Sequence, residues 1–332
     1  MTSERAKSQR SRSRPSWGDA VAVQVAEPVR RALQEGRPVV ALESTIISHG
    51  LPRPDNLAVA RELEATVRAN GAEPATVAVI DGRAHVGLSD AELERLSAGE
   101  EVRKLGMRDL AVALGTGATG ATTVSATSHL AALAGIRVFA TGGIGGVHRG
   151  WQESWDESAD LEALSRTPVA IVVAGVKSIL DVAASVERLE TLNVTVIGYR
   201  TGEFPGFYLH SSGHRLDWRV DSPDEVVAVM RAEAALGLRS AIVVANPVGR
   251  DAQLDPGLHD RVLAEALAEA DRAHVTGQAL TPFLLERMVR GTEGAALSAN
   301  LAAVRGNCAV AAEVACAWSK CLVQEERREG GA

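Results

Sequence analysis

The chain has 332 residues, 46% apolar and 23% charged, enough apolar material for a sizeable core and too little charge bias for a disordered or fibrous chain. Aromatic residues are scarce (5 Trp, 4 Phe and 2 Tyr), too few for the stacking platforms that read single-stranded nucleic acid, and a net charge of −7 argues against wrapping a polyanion. Cys308, Cys316 and Cys321 lack CxxC spacing, which excludes a disulfide framework or zinc ribbon and points to a reducing, cytoplasmic setting.

Membrane insertion is not expected. The longest stretch without Asp, Glu, Lys or Arg, Leu110–Ile136, is rich in Gly, Thr and Ser and reads as tight loops and small-residue packing. The N-terminus has no apolar h-region of the secretory kind. Residues 1–18, with five basic side chains against Glu4, read as a disordered basic tail. Residues 19–322 read as a single α/β domain, and 323–332 as a flexible C-terminal tail.

In chain order, apolar runs of strand length alternate with helical patterns. Pro38–Leu42 predicts a buried strand and Asn56–Ala69 an amphipathic helix closed by Gly71. Thr76–Ile80 predicts a strand, and Asp90–Leu96 a helix with a Ser89/Glu92 capping box. Leu110–Leu114 reads as strand, Val124–Leu133 as helix, Arg137–Ala140 and Val169–Ala174 as strands, and Ile179–Leu192 as helix. Strands at Val194–Gly198 and Ala241–Ala245 flank a helix at Asp224–Ala235, and everything from about Pro256 reads as helical. The fold class this implies is α/β: a three-layer α/β/α arrangement with a mostly parallel central sheet and a helical C-terminal part.

Ligands of such sheets gather beyond the C-terminal ends of the strands. Glu43 directly follows the first apolar run, where burial would raise its pKa and suit it to general acid–base work, or where it simply caps a loop. Lys177 ends another such run and is either a desolvated nucleophile or a lysine snorkelling from the sheet edge. Gly115–Gly120 fits GxGxxG but lacks the acidic residue some twenty positions on that a dinucleotide site needs; with Thr122 and Thr123 it suits a phosphate monoester, or is only a small-residue turn. Asp156 and Asp160 lie in an acidic segment that is either solvated surface or a place for Mg²⁺ or Mn²⁺ held by one carboxylate and waters. No HxH or HExxH pair supports a zinc hydrolase.

Taken together, ALESTIISHG (41–50), GATTV (120–124), ATGGIGGVHRG (140–150), DESADL (156–161), AGVKSILD (174–181), ANP (245–247) and TPFLL (281–285) resemble the pseudouridine-5′-phosphate glycosidases over about residues 20–322. The resemblance implies reversible cleavage of the C–C glycosidic bond of pseudouridine 5′-phosphate to uracil and ribose 5-phosphate through a lysine imine. It implies a divalent metal, typically Mn²⁺ with Mg²⁺ as the alternative, and a homotrimer. Motif by motif, it makes Glu43 the proton donor, Lys177 the imine-forming nucleophile and Asp156 the metal residue. It places Lys104, Val124, Ser158, Ala159 and Asp160 at substrate contacts, with Thr141, His148 and Asn300 lining the same site. The partner is thus a small molecule, with no membrane or nucleic acid. The alternatives are an imine-forming lyase or glycosidase on another sugar phosphate, and a non-catalytic sugar-phosphate binder.

Overall fold

The computed structural model describes residues 23–51, 53–99 and 101–329, so the expected basic tail lies outside the described residues. Its first half runs β1 (Gln24–Val25), α1 (Glu27–Gln34), β2 (Val39–Leu42), α2 (Asp55–Ala69), β3 (Glu73–Ile80), β4 (Arg83–Val86), α3 (Asp90–Ala98), β5 (Arg103–Leu105), α4 (Leu110–Thr116), β6 (Gly120–Thr122), α5 (Val124–Leu133) and β7 (Val138–Ala140). The second half continues with α6 (Trp151–Ser154), α7 (Ala159–Leu164), β8 (Ala170–Val173), α8 (Val182–Thr191), β9 (Thr195–Tyr199), β10 (Arg219–Val220), α9 (Pro223–Leu236), β11 (Ile242–Ala245), α10 (Pro256–Arg272), α11 (Leu280–Gly291) and α12 (Ala295–Glu329).

The strands lie in the order β1-β4-β3-β2-β7-β8-β11-β9-β10, with β5 and β6 attached through β3. From β3 to β10 every neighbouring pair is parallel; only β4 and β6 run antiparallel to β3. The strands are apolar on both faces because both faces are covered. In β2, Val39 and Ala41 pack into one core, shared with α1, α5, α7 and α10, while Val40 and Leu42 pack into the other, with α2, α9 and α12. Strand β8 alternates in the same way, Ile171 and Val173 against Ala170 and Val172. Three layers result, as expected.

Two expectations are corrected. Leu110–Leu114 is not a strand but most of α4, whose buried residues Leu110 and Ala113 sit one helical turn apart while Val112 is exposed. Gly117 ends it in the left-handed region (φ 71°) that glycine adopts without strain. Gly115–Gly120 therefore leads out of a helix into β6, the reverse of a dinucleotide fingerprint. At the other end, α12 continues to Glu329, so residues 323–329 are helical where a tail was expected. The predicted Ser89/Glu92 capping box is present. Among the described residues no helix is long and apolar enough to cross a membrane.

Candidate active site

Because β2, β7 and β8 are adjacent and parallel, their C-terminal ends deliver Glu43, Thr141 and the 174–177 segment to one edge of the sheet. The partly buried Glu43 carboxylate accepts from the Thr141 hydroxyl on one oxygen and from the Thr45 hydroxyl on the other. Beneath it, the enclosed Ser44 hydroxyl donates to the Val77 carbonyl (2.6 Å) and accepts from the Thr122 amide (2.9 Å), tying β2 to β3 and β6.

Lys177 is placed by its backbone. After β8 the chain pairs with the glycine-rich loop leaving β7: Ala174 N–H donates to the Gly142 carbonyl (2.9 Å), Ile144 N–H to Gly175 (3.1 Å), and Lys177 N–H to Ile144 (3.1 Å). The turn needs glycine at 175, where φ is 98° and a Cβ would strike the Pro205 carbonyl. Lys177 itself is partly buried, and the neighbouring Ser178 hydroxyl lies 2.9 Å from Nε2 of the buried His259.

Lys104, next to last in β5, belongs to the same constellation. Although its side chain reaches solvent, desolvation, followed by the Lys177 ammonium, pushes its pKa below the ordinary lysine range, with the Asp160 and Glu43 carboxylates pulling the other way. His148 is buried, its amide donating to the Asp156 carbonyl (3.0 Å) and its Nδ1 lying 3.8 Å from an Asp156 carboxylate oxygen. Burial holds its pKa below the usual imidazole value; Asp156 opposes that shift, and Lys104 and Lys177 reinforce it. Lys104 thus feels the charges of Lys177, Asp160 and Glu43, and His148 those of Asp156, Lys104 and Lys177, at one end of the sheet.

Asp160 is 6% exposed and already engaged: its carboxylate accepts from the Ser125 amide and from the Gly145 amide, both at 2.9 Å. It fastens the start of α5 and the glycine loop together. Ser158 caps α7, accepting from the Asp160 amide at 3.2 Å. Val124 is buried in the core and Ala159 is exposed, so a substrate contact at either would use backbone. Asn300, on α12, places its amide oxygen against Gly142, buried and with no hydrogen-bond partner.

One residue escaped the sequence reading. Asn307 is fully enclosed; its amide nitrogen donates to the carbonyls of Thr141 (2.7 Å) and Gly142 (3.4 Å), and its oxygen accepts from Asn246 (2.9 Å). It lies seven positions beyond Asn300, two helical turns along the same face of α12, and that spacing was the available signal.

As to a metal, the described residues contain no group of three or more His, Cys, Asp or Glu side chains able to hold an ion. The donor set at Asp156 is one partly exposed carboxylate beside a histidine. That suits a hard divalent cation keeping most of its waters and not a closed protein cage.

Residues 28–317 match the family described as Indigoidine synthase A like protein. A curated pseudouridine-5′-phosphate glycosidase of Streptomyces griseus is 64% identical over 290 residues, covering 87% of this chain and 90% of that one. Its counterpart from Salinispora tropica is 61% identical over the same shares. Among solved structures, the prealnumycin C-glycosynthase AlnA in complex with ribulose 5-phosphate aligns with a TM-score of 0.85 at 33% identity, covering 91% of this chain and 98% of that one. An indigoidine synthase A-like protein of Thermotoga maritima gives 0.82 at 35% identity, covering 90% and 97%. With nearly its whole folded length matched in sequence and in structure, the chain belongs to the indigoidine synthase A-like family.

Proposed function

We propose that the chain is a pseudouridine-5′-phosphate glycosidase, cleaving the C–C glycosidic bond of pseudouridine 5′-phosphate to uracil and ribose 5-phosphate. The observation that carries this is the convergence of an amine, Lys177, and a doubly hydrogen-bonded carboxyl group, Glu43, beside a second lysine at one sheet edge. The names of the curated relatives and the sugar phosphate in the AlnA complex support it.

The chemistry follows from the bond. A carbon leaving group cannot depart by simple O- or N-protonation, so electrons must be pushed from C1′. Protonation of the ring oxygen by Glu43 breaks the C1′–O4′ bond, and the Lys177 amine bonds to C1′. The proton shed by that nitrogen returns to Glu43. The nitrogen lone pair then forms C=N as the C1′–C5 bond breaks, its electrons pass to uracil, and Glu43 protonates C5. Water hydrolyses the imine, releasing ribose 5-phosphate and restoring the amine. Thr45 and Thr141 orient the carboxyl group; Lys104 supplies positive charge toward the phosphate, and the unpaired Asn300 oxygen offers an acceptor to a substrate N–H or O–H.

Asp156, with waters, would hold the divalent cation, Mn²⁺ in this reading, which when bound supplies charge neutralisation near the phosphate. A reducing, cytoplasmic setting suits the three free cysteines, and a homotrimer completes the reading. The test is chromatographic detection of uracil from pseudouridine 5′-phosphate: the wild type with Mn²⁺ should release it and Lys177→Ala should not. A wild type that releases none refutes the proposal.

A further inference from the structure

A polar cavity opens on the same edge of the sheet, beyond β9, β10 and β11 and away from the β2, β7 and β8 exits that carry the site above. Its volume is about 530 Å³, within the size range of small-molecule sites. It is lined by Arg200, Arg215, Arg219, Arg250, His210 and Glu203, with the short residues Thr201 and Gly202 between them. Four guanidinium groups around one hollow is an unexpected concentration in a chain of net charge −7.

The arginines are not there to neutralise one another's neighbours. Arg219 is held by the Asp221 carboxylate (2.7 Å), and Arg200 donates to the Asp221 carbonyl (3.1 Å) while its guanidinium lies 4.8 Å from the Tyr199 ring centroid. These two are fixed in place. Arg215 and Arg250 are exposed and have no hydrogen-bond or ion-pair partner among the described residues. The lining carboxylate, Glu203, accepts from the Ser211 hydroxyl (2.5 Å) and pairs with none of the four. The His210 ring lies with Nδ1 2.9 Å from the Val248 carbonyl, so Nδ1 carries the proton and Nε2 is left for another partner.

We infer that this cavity is an anion-binding site for a compound carrying two or three linked phosphates. Guanidinium forks match phosphate oxygens two at a time. The unpaired Arg215 and Arg250 would take one phosphate, and Arg200 and Arg219, each engaged through only part of its five N–H donors, offer the rest to a second, so the four together call for a longer run of phosphate oxygens. An extended nucleic acid is disfavoured, because the acidic remainder of the chain repels a polyanion beyond the hollow. The inference does not rest on the glycosidase reading.

Calorimetric titration at fixed ionic strength tests it, with inorganic pyrophosphate and UTP as probes and ribose 5-phosphate present to fill the other site. We expect one bound probe per chain, and at least tenfold weaker binding in the Arg215→Ala/Arg250→Ala double variant, with its melting temperature and uracil release unchanged. Tighter binding of UTP assigns the site to nucleotides, and tighter binding of pyrophosphate to the free diphosphate. Absence of binding, equal affinity for inorganic phosphate, or binding undiminished in the double variant would overturn the inference.

Discussion

Asn307 shows how one buried amide can govern a reacting group it does not touch. It holds the Thr141 carbonyl, while the Thr141 hydroxyl holds the Glu43 carboxyl group. Asn307→Leu keeps the volume but leaves that carbonyl unpaired in a dry interior, a loss of about 1–3 kcal/mol. We predict a lower melting temperature together with a fall in kcat of at least about tenfold, a barrier change of about 1.4 kcal/mol; unchanged turnover in the folded variant would show that Thr141 needs no such support. Asp156 carries the second prediction at this scale. A cation held, as proposed, by one protein carboxylate would be lost readily: exhaustive chelation should abolish uracil release, Mn²⁺ should restore it, and Asp156→Ala should need far more Mn²⁺ for the same rate. Full turnover after chelation would contradict the assignment. The placement of Glu43 and Lys177 beyond strand ends was legible in the sequence because each follows an apolar run, and runs of that length become strands. Asn307 was not, because its partners Thr141 and Asn246 lie 166 and 61 positions away and nothing local announces them.

At the scale of elements, the loop leaving β7 is where sequence and structure meet most closely. Its glycines are there for close approach: a side chain at Gly145 would collide with Ser158 and stand 2.9 Å from the Asp160 carboxylate that binds the Gly145 amide. Gly145→Ala must therefore push α7 away from the loop that aligns Lys177. We predict a destabilisation of about 1–3 kcal/mol from overpacking and at least tenfold slower turnover, checked by thermal melting and steady-state rates. A variant as stable and active as the wild type would mean that this contact yields freely. The same scale explains the strand that turned out to be α4. Its LAVAL run is apolar enough for either structure, and its i, i+3 burial, with Val112 left in solvent, is set by packing on β3 and not by propensity. Strands β1, β5 and β10, only two or three residues long, could not be read because so few residues carry no period.

Over the whole molecule, pH couples to stability through partly buried imidazole. Burial lowers the pKa of His129 on α5 below 6.5, so the folded state resists protonation there more than the unfolded chain does. The stability this provides is complete above pH 6.5 and is lost as pH falls from 6.5 through the lowered folded value. The melting temperature should therefore drop between pH 7.5 and 5.5, less steeply in His129→Gln; equal slopes would remove His129 from the account. The mostly parallel, doubly covered sheet was legible throughout, because alternation of strand and helix patterns leaves few other architectures. That architecture brings Glu43, Lys104 and Lys177 together, and the central claim is that Lys177 forms the covalent bond to the sugar. Borohydride reduction in the presence of ribose 5-phosphate, followed by peptide mass mapping, tests it most directly. The account predicts one sugar phosphate per chain on the peptide containing Lys177 and none in Lys177→Arg; a label on Lys104, or no label on a chain that releases uracil, would contradict it.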